Sequence, residues 1–426
     1  MGGIELKNWK DLKDSGTDKV GWNRALVVCV LLLFASAINY MDRQTLSSIA
    51  PRITTELSLS EEQYGRVEAM FGWGFAVGSL VFGLLVDYVP VRWMYPSALL
   101  LWSAMGFLTG YVRGYDDLLV CRGLLGFFEA AHWPCGLKTT QSLLDTKSRG
   151  LGNSVLQSGT SIGACITPML MLWILTPEPG SWRWGFQAIG FMGIFWVFGW
   201  FLFVRRSDLK PLPPVAVDPS KPIDWNRFFR KFAMLIFFLL AINTTWQILR
   251  AWMPKVLQQG IGYSEKETLV FTSVWYIVTD IGCLASGALA YAMASRGWNI
   301  KSSRILSVGL SAFLCMGVCL VPFIAKGPLL LAVLLVAGAG ALGLFPMFYS
   351  FSQDISRKYQ GTVTGIAGFI AWAFSGQSQI YFGALADRTQ SYNSGLIIVG
   401  ILPMIAFFGL LFFWPAEDHI EDVQST

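Results

Sequence analysis

The apolar run Ala25-Leu26-Val27-Val28-Cys29-Val30-Leu31-Leu32-Leu33-Phe34-Ala35-Ser36-Ala37 leads through Ile38 into Asn39-Tyr40-Met41-Asp42-Arg43. A long apolar stretch of this kind marks a membrane span, and a charged side chain inside one costs about 2.5–3.5 kcal/mol on insertion scales. An acid and a base at that depth persist where they pair, line a wet cavity or move an ion. Asp42 and Arg43 therefore point to transport across a bilayer.

The rest of the chain repeats the pattern. Its 426 residues are 54% hydrophobic and 14% charged, where a soluble domain carries about 25% charge. Apolar runs bounded by charge, Pro and Gly predict twelve spans near 24–50, 62–87, 93–112, 117–141, 149–174, 183–204, 232–257, 267–292, 304–324, 328–350, 361–385 and 392–414. A secretory signal is not expected, because the flank Met1 to Gly21 is long and mixed in charge and eleven further apolar segments follow. The cysteines lie in or beside apolar stretches and read as packing residues.

The expected class is an all-α membrane protein. Its layout is a tail at 1–23, a six-helix bundle at 24–204, a linker at 205–231, a second six-helix bundle at 232–414 and a tail at 415–426. The linker carries Pro211, Pro213, Pro214, Pro219 and Pro222 among charges. Pro51 with Pro254, Gly83 with Gly287 and Pro134 with Pro346 recur at a nearly constant offset of about two hundred residues, as a duplicated half would leave. With both termini cytoplasmic, the basic residues Arg205, Arg206, Lys210, Lys221, Arg227, Arg230 and Lys231 stay inside. Arg52, Arg113, Arg183, Lys255, Lys266, Lys326 and Arg388 fall outside. This asymmetry accounts for the net charge of +5, and no nucleic-acid partner is called for.

Arg122 and Glu129 are seven residues apart, which puts them on one helical face, about 10 Å along the axis. Arg122 is expected to hold a substrate's carboxylate or to steady a carboxylate in the empty state, and Glu129 to take and release a proton, as is Asp42; the alternative is a structural ion pair that only fixes helix packing. His132 reads as a packed, hydrogen-bonded histidine, and Lys138 as a side chain reaching the membrane surface. Asp87 and Arg92 are read as a gating latch between spans two and three, with Gly83 allowing close helix approach. Arg250 and Asp280 are expected to pair across spans seven and eight, as an outer gate, as part of the anion site or as packing. Arg66 and Glu68 are expected to reach interfacial water.

Gln157, Trp372, Gln247 and Gln377 suit a polyhydroxylated ligand, since amides exchange hydrogen bonds with hydroxyls and an aromatic plane lies against a sugar ring. The run Gly338-Ala339-Gly340-Ala341-Leu342-Gly343 lacks the Lys-Ser/Thr of a phosphate loop and reads as helix packing. With two histidines and no nucleophile or metal cluster, an enzyme, a metal site and a cofactor other than the coupling proton are not expected.

Several motifs now bear on family. They are Asn39-Tyr40-x-Asp42-Arg43, Arg122-Gly-x-x-Gly126-x-x-Glu129-Ala-x-x-x-Pro134, Arg149-Gly150-x-Gly152 through Ser158-Gly159, Ser181-Trp182-Arg183 and Trp252-x-Pro254-Lys255. Over residues 24–414 the chain resembles the anion:cation symporter branch of the major facilitator superfamily, and within it bacterial hexuronate and galactonate transporters. The resemblance implies the major facilitator fold and proton-coupled uptake of a sugar acid by alternating access. Asp42 and Glu129 would titrate, Arg43 and Arg122 would serve the anion, and Tyr40 and Gln157 would face the ligand. It further implies a multi-pass inner-membrane protein acting as a monomer in the lipid bilayer. His132 stands where relatives usually place Asn, and Tyr88 and Pro90 replace the usual basic and glycine pair of the latch. Two rivals are weighed: a proton-coupled exporter of amphipathic compounds, disfavoured by midplane arginines, and a non-transporting sensor, disfavoured by the intact acids Asp42 and Glu129.

Overall fold

The computed structural model describes residues 22–144, 149–209, 225–353, 355 and 360–414. The tails at 1–21 and 415–426 and most of the expected linker, 210–224, lie outside these. Each of the twelve expected spans falls on a helical unit. The first half comprises α1 (Trp22–Glu56), α2 (Glu61–Tyr88), α3 (Val91–Thr109), α4 (Tyr115–Glu129) with α5 (His132–Leu143), α6 (Arg149–Ile174) and α7 (Trp182–Phe203). The second comprises α8 (Trp225–Lys255), α9 (Glu265–Ser295), α10 (Ile300–Cys315), α11 (Pro328–Gly343) with α12 (Phe345–Gln353), α13 (Gln360–Thr389) and α14 (Asn393–Phe413). Nine units among the described residues are long and apolar enough to cross a membrane.

Local sequence explains the punctuation. Ser60 and Ser264 open α2 and α9 with matching capping boxes, completed by Gln63 and Glu267, so the second helix of each half begins the same way. The fourth unit of each half is broken, at Ala130–Ala131 and at Leu344, just before Pro134 and Pro346. Proline lacks the N–H that would bond the carbonyl one turn earlier, which favours a break there. Pro51 and Pro254 both lie inside helices. Helix α1 runs past Pro51 to Glu56, and α8 continues past Pro254 to Lys255 and into a π-helical turn, Val256–Ile261, closed by Gly262 at φ +85°.

The packing reverses that of a soluble protein. Large apolar side chains such as Phe195, Phe198, Leu284, Phe313 and Phe412 are exposed around the perimeter, while Asp42, Arg43, Glu68, Arg122, Glu129 and Arg250 are buried. Helices meet on small residues: a Cβ on Gly126 of α4 would come within 2.2 Å of the Phe71 carbonyl on α2, and one on Gly65 of α2 within 2.4 Å of the Gln379 carbonyl on α13. Gly83, expected to permit such a contact, and its repeat counterpart Gly287 have nothing within 4 Å of an added Cβ.

The near face is the one where α7 ends and α8 begins; the far face is opposite. Among the described residues three apolar clusters form the interior. One draws on both halves, joining Ile53, Tyr64, Trp182, Trp252, Phe382 and Leu396 toward the far face. The buried members of the other two belong to the first half alone and to the second half alone. Between halves, α2 packs on α13 and α6 on α9. Toward the near face Gly365 and Gly368 of α13 and Gly287 of α9 have nothing within 4 Å of an added Cβ, and Gln157 and Tyr349 are exposed. The polar contacts between the halves gather toward the far face.

Candidate functional site

Among the described residues three arginines and three acids at the centre of the site are each at most 4% exposed: Arg43, Arg122, Arg250, Asp42, Glu68 and Glu129. The Nε of Arg43 on α1 donates to Glu129 Oε2 on α4 at 2.7 Å. Its guanidinium lies 5.1, 5.0, 4.8 and 5.5 Å from the ring centres of Tyr40, Phe71, Phe75 and Trp372. Four aromatic faces hold it by cation–π attraction where hydration is excluded.

Arg122 on α4 lies 4.8 Å from the Phe71 ring and 3.6 Å, through Nη2, from Glu68 Oε1. Arg250 on α8 donates from Nη2 to Glu68 Oε2 at 2.8 Å and from Nε to Gln247 Oε1 at 2.8 Å. Glu68 thus touches an arginine from each half. Asp42 points elsewhere. A Cβ on Gly106 of α3 would stand 2.6 Å from its Oδ1, and neither carboxylate oxygen has a hydrogen-bond partner among the described residues. Glu129, Arg122 and Arg43 are the charges around it.

The far face is sealed by polar contacts between the halves. Arg52 clamps Glu265 through Nε and Nη2, both at 2.6 Å. Lys255 meets Glu61 at 2.7 Å. Asp387 accepts from the backbone N–H groups of Glu61 and Glu62 at 3.0 and 2.8 Å, capping the start of α2 from the other half. The Tyr64 hydroxyl donates to the Ala251 carbonyl at 2.9 Å. Two motifs from the sequence belong to this region: Trp182 and Arg183 both bind Glu56, and Trp252 donates to Gln379.

Other expected residues are placed differently. The Arg250–Asp280 pair is not formed; Arg250 turns to Glu68, and Asp280 lies half-buried beside Ser161 of α6. Glu68 does not reach interfacial water, whereas Arg66 stays at the surface with Glu62 at 2.6 Å. Tyr64, Glu68, Phe71 and Phe75 recur at helical spacing, and that shared face is the sequence signal for its burial. Asp87 and Arg92 do not clamp each other. Lys138 pairs with Asp87 at 3.1 Å instead of reaching only for the surface, and Arg92 donates to the Val204 carbonyl at the end of α7. Both contacts stay within the first half.

Trp372 and Gln247 come from the second half to the cluster, while Gln157 is exposed and bonded within its own helix to Thr160. Gln377 is exposed off the face that α13 presents to α2. His132 is packed as expected, between the Ser36 hydroxyl at 2.9 Å and the Tyr95 hydroxyl at 2.8 Å. Gln44 and Tyr276, bonded across the halves, carried no distinguishing signal in the sequence.

Residues 32–377 match the Major Facilitator Superfamily. A hexuronate transporter of Escherichia coli K12 is 25% identical over 417 residues, covering 93% of this chain and 95% of that protein. A probable L-galactonate transporter of the same strain is 25% identical over 406 residues, covering 90% and 88%. A solved bacterial homologue of the human lysosomal transporter Spinster superposes with a TM-score of 0.77 at 15% identity, covering 92% of this chain and 98% of that one. The buried charges between two six-helix halves and the long family match lead to one conclusion: this chain belongs to the Major Facilitator Superfamily and is a multi-pass membrane transporter, not an enzyme.

Proposed function

We propose that the protein takes up a sugar acid monoanion, such as a hexuronate or aldonate, together with protons, by alternating access. The observation that carries this reading is the charge balance of the central cluster: three guanidinium groups against three carboxylates, all buried. In a medium of low dielectric an added anion is tolerated only when its charge is compensated, and a proton taken up by Glu129 or Asp42 does this. Guanidinium donors remain for the ligand. Arg43 Nη2, Arg122 Nε, Nη1 and Nη2 and Arg250 Nη1 have no hydrogen-bond partner among the described residues, and planar guanidinium groups suit a carboxylate. Trp372, Tyr40 and Gln247 would receive the sugar ring and hydroxyls, and Gln157 would meet the ligand on its way from the near face.

The relatives named for hexuronate and galactonate support the substrate class. Both termini and the near face are assigned to the cytoplasm of an inner membrane, with the far face outside, and a single chain carries the pathway. The test is uptake of labelled glucuronate, galacturonate and galactonate into proteoliposomes under an imposed inward pH gradient. Accumulation that requires the gradient is expected; its absence for every acidic sugar would sink the symport reading.

A further inference from the structure

We propose that Glu68 is a resident carboxylate in the place a substrate carboxylate takes between Arg122 and Arg250, so that the transported anion competes with a side chain of the protein itself. This rests on the sugar acid reading. The geometry is that of a ligand already bound. One carboxylate, 3% exposed, meets a guanidinium of the first half at 3.6 Å and one of the second half at 2.8 Å. It does so one helical turn from the Tyr64–Ala251 contact that joins the halves.

The fit is also incomplete. Glu68 Oε1 accepts no hydrogen bond, and three nitrogens of Arg122 donate none among the described residues. Glu68 is tethered to α2 and reaches Arg250 fully but Arg122 only by charge. A free carboxylate, able to settle symmetrically between the two guanidinium groups, satisfies more of these donors, and bidentate charge-assisted bonds are the stronger kind.

A resident anion also answers a need. Without it, two arginines carried by different halves would face each other in low dielectric, where like charges repel strongly. Glu68 keeps the halves together between substrates, and an arriving carboxylate inherits both guanidinium groups as it displaces Glu68. A neutral sugar has nothing to offer Arg122 and Arg250 in exchange, so the device selects for anions.

The experiment compares full-length wild type and Glu68→Gln in lipid nanodiscs. Calorimetric titration with glucuronate and galacturonate is expected to give an affinity for the variant about tenfold tighter, while glucose binds neither protein. Hydrogen exchange of the peptides covering 57–68 and 380–392 is expected to be faster in the ligand-free variant and to return to the wild-type level with the sugar acid. Equal or weaker affinity in Glu68→Gln, or unaltered exchange, overturns the competition and makes Glu68 a plain tie between halves. Binding without gradient-driven uptake sinks the coupling reading and leaves the competition standing. Should Glu68→Gln fail to fold, Glu68→Asp, which withdraws the carboxylate by one methylene, is expected to shift affinity in the same direction by a smaller factor; a loss of affinity counts against the proposal.

Discussion

Glu129 binds Arg43 on the neighbouring helix at 2.7 Å, although Arg122 lies two turns before it on the same helical unit. In the proposed cycle, proton loading of Glu129 would act on this contact between α1 and α4. Glu129→Gln, which mimics the loaded acid, is expected to retain exchange of labelled against unlabelled sugar acid and to lose uphill uptake by tenfold or more, about 1.4 kcal/mol of coupling. Parallel counterflow and gradient-driven assays check this. Loss of binding with coupling intact would contradict it.

Asp42 depends on a missing side chain. With an added Cβ on Gly106 only 2.6 Å from Oδ1, Gly106→Ala forces the carboxylate to move within a packed helix contact, at a cost of about 1–3 kcal/mol. Gradient-driven uptake is expected to fall roughly tenfold or more. The melting temperature in detergent should fall by only a few degrees, and normal uptake in this variant would remove Asp42 from the coupling path.

Arg43 is held by four ring faces as well as by Glu129. Lysine keeps the charge but loses the planar surface, so Arg43→Lys is expected to raise the transport KM by roughly tenfold, an Arg-to-Lys change at a stacked site being far from conservative. A KM within twofold of wild type would show that charge alone suffices there.

At the far face, Asp387 caps α2 from the opposite half. Removing a cap costs about 1 kcal/mol, so Asp387→Ala is expected to shift the closed-to-open ratio roughly fivefold toward an open far face. Reversing Arg52 and Glu265 one at a time should impair transport, and Arg52→Glu with Glu265→Arg together should recover most of it. Labelling of a cysteine introduced at Tyr64, buried in the closed far face, reads the first effect, and uptake reads the second. No recovery in the double variant would mean that the pair does more than hold the halves together.

Much of this was legible from periodicity and from the cost of burying charge. The spans, the burial of Asp42 and Arg43, the common wall of Arg122 and Glu129 and the packed His132 follow from the apolar runs and from which side of one helix a residue occupies. Partner choice between helices does not. Arg250 had two acids to choose from, and the sequence offered no distance to decide between Asp280 and Glu68. Nearness to the end of α2 suggests an exposed Glu68, while its shared face with Tyr64, Phe71 and Phe75 is the better guide to its burial. Gly83 suggests a close contact because glycine commonly serves one, yet nothing lies within 4 Å of an added Cβ there.

The apolar cluster shared by both halves has a kinetic consequence. Turning the far face outward parts side chains such as Tyr64, Trp252 and Phe382, and each 100 Å2 of apolar surface wetted costs about 2.5 kcal/mol. A bound anion can offset that cost through its own contacts; an unloaded carrier has no such help on its return. In the proposed cycle the return of the unloaded protein would then be the slow stage, and labelled sugar acid is expected to swap across the membrane faster than it accumulates.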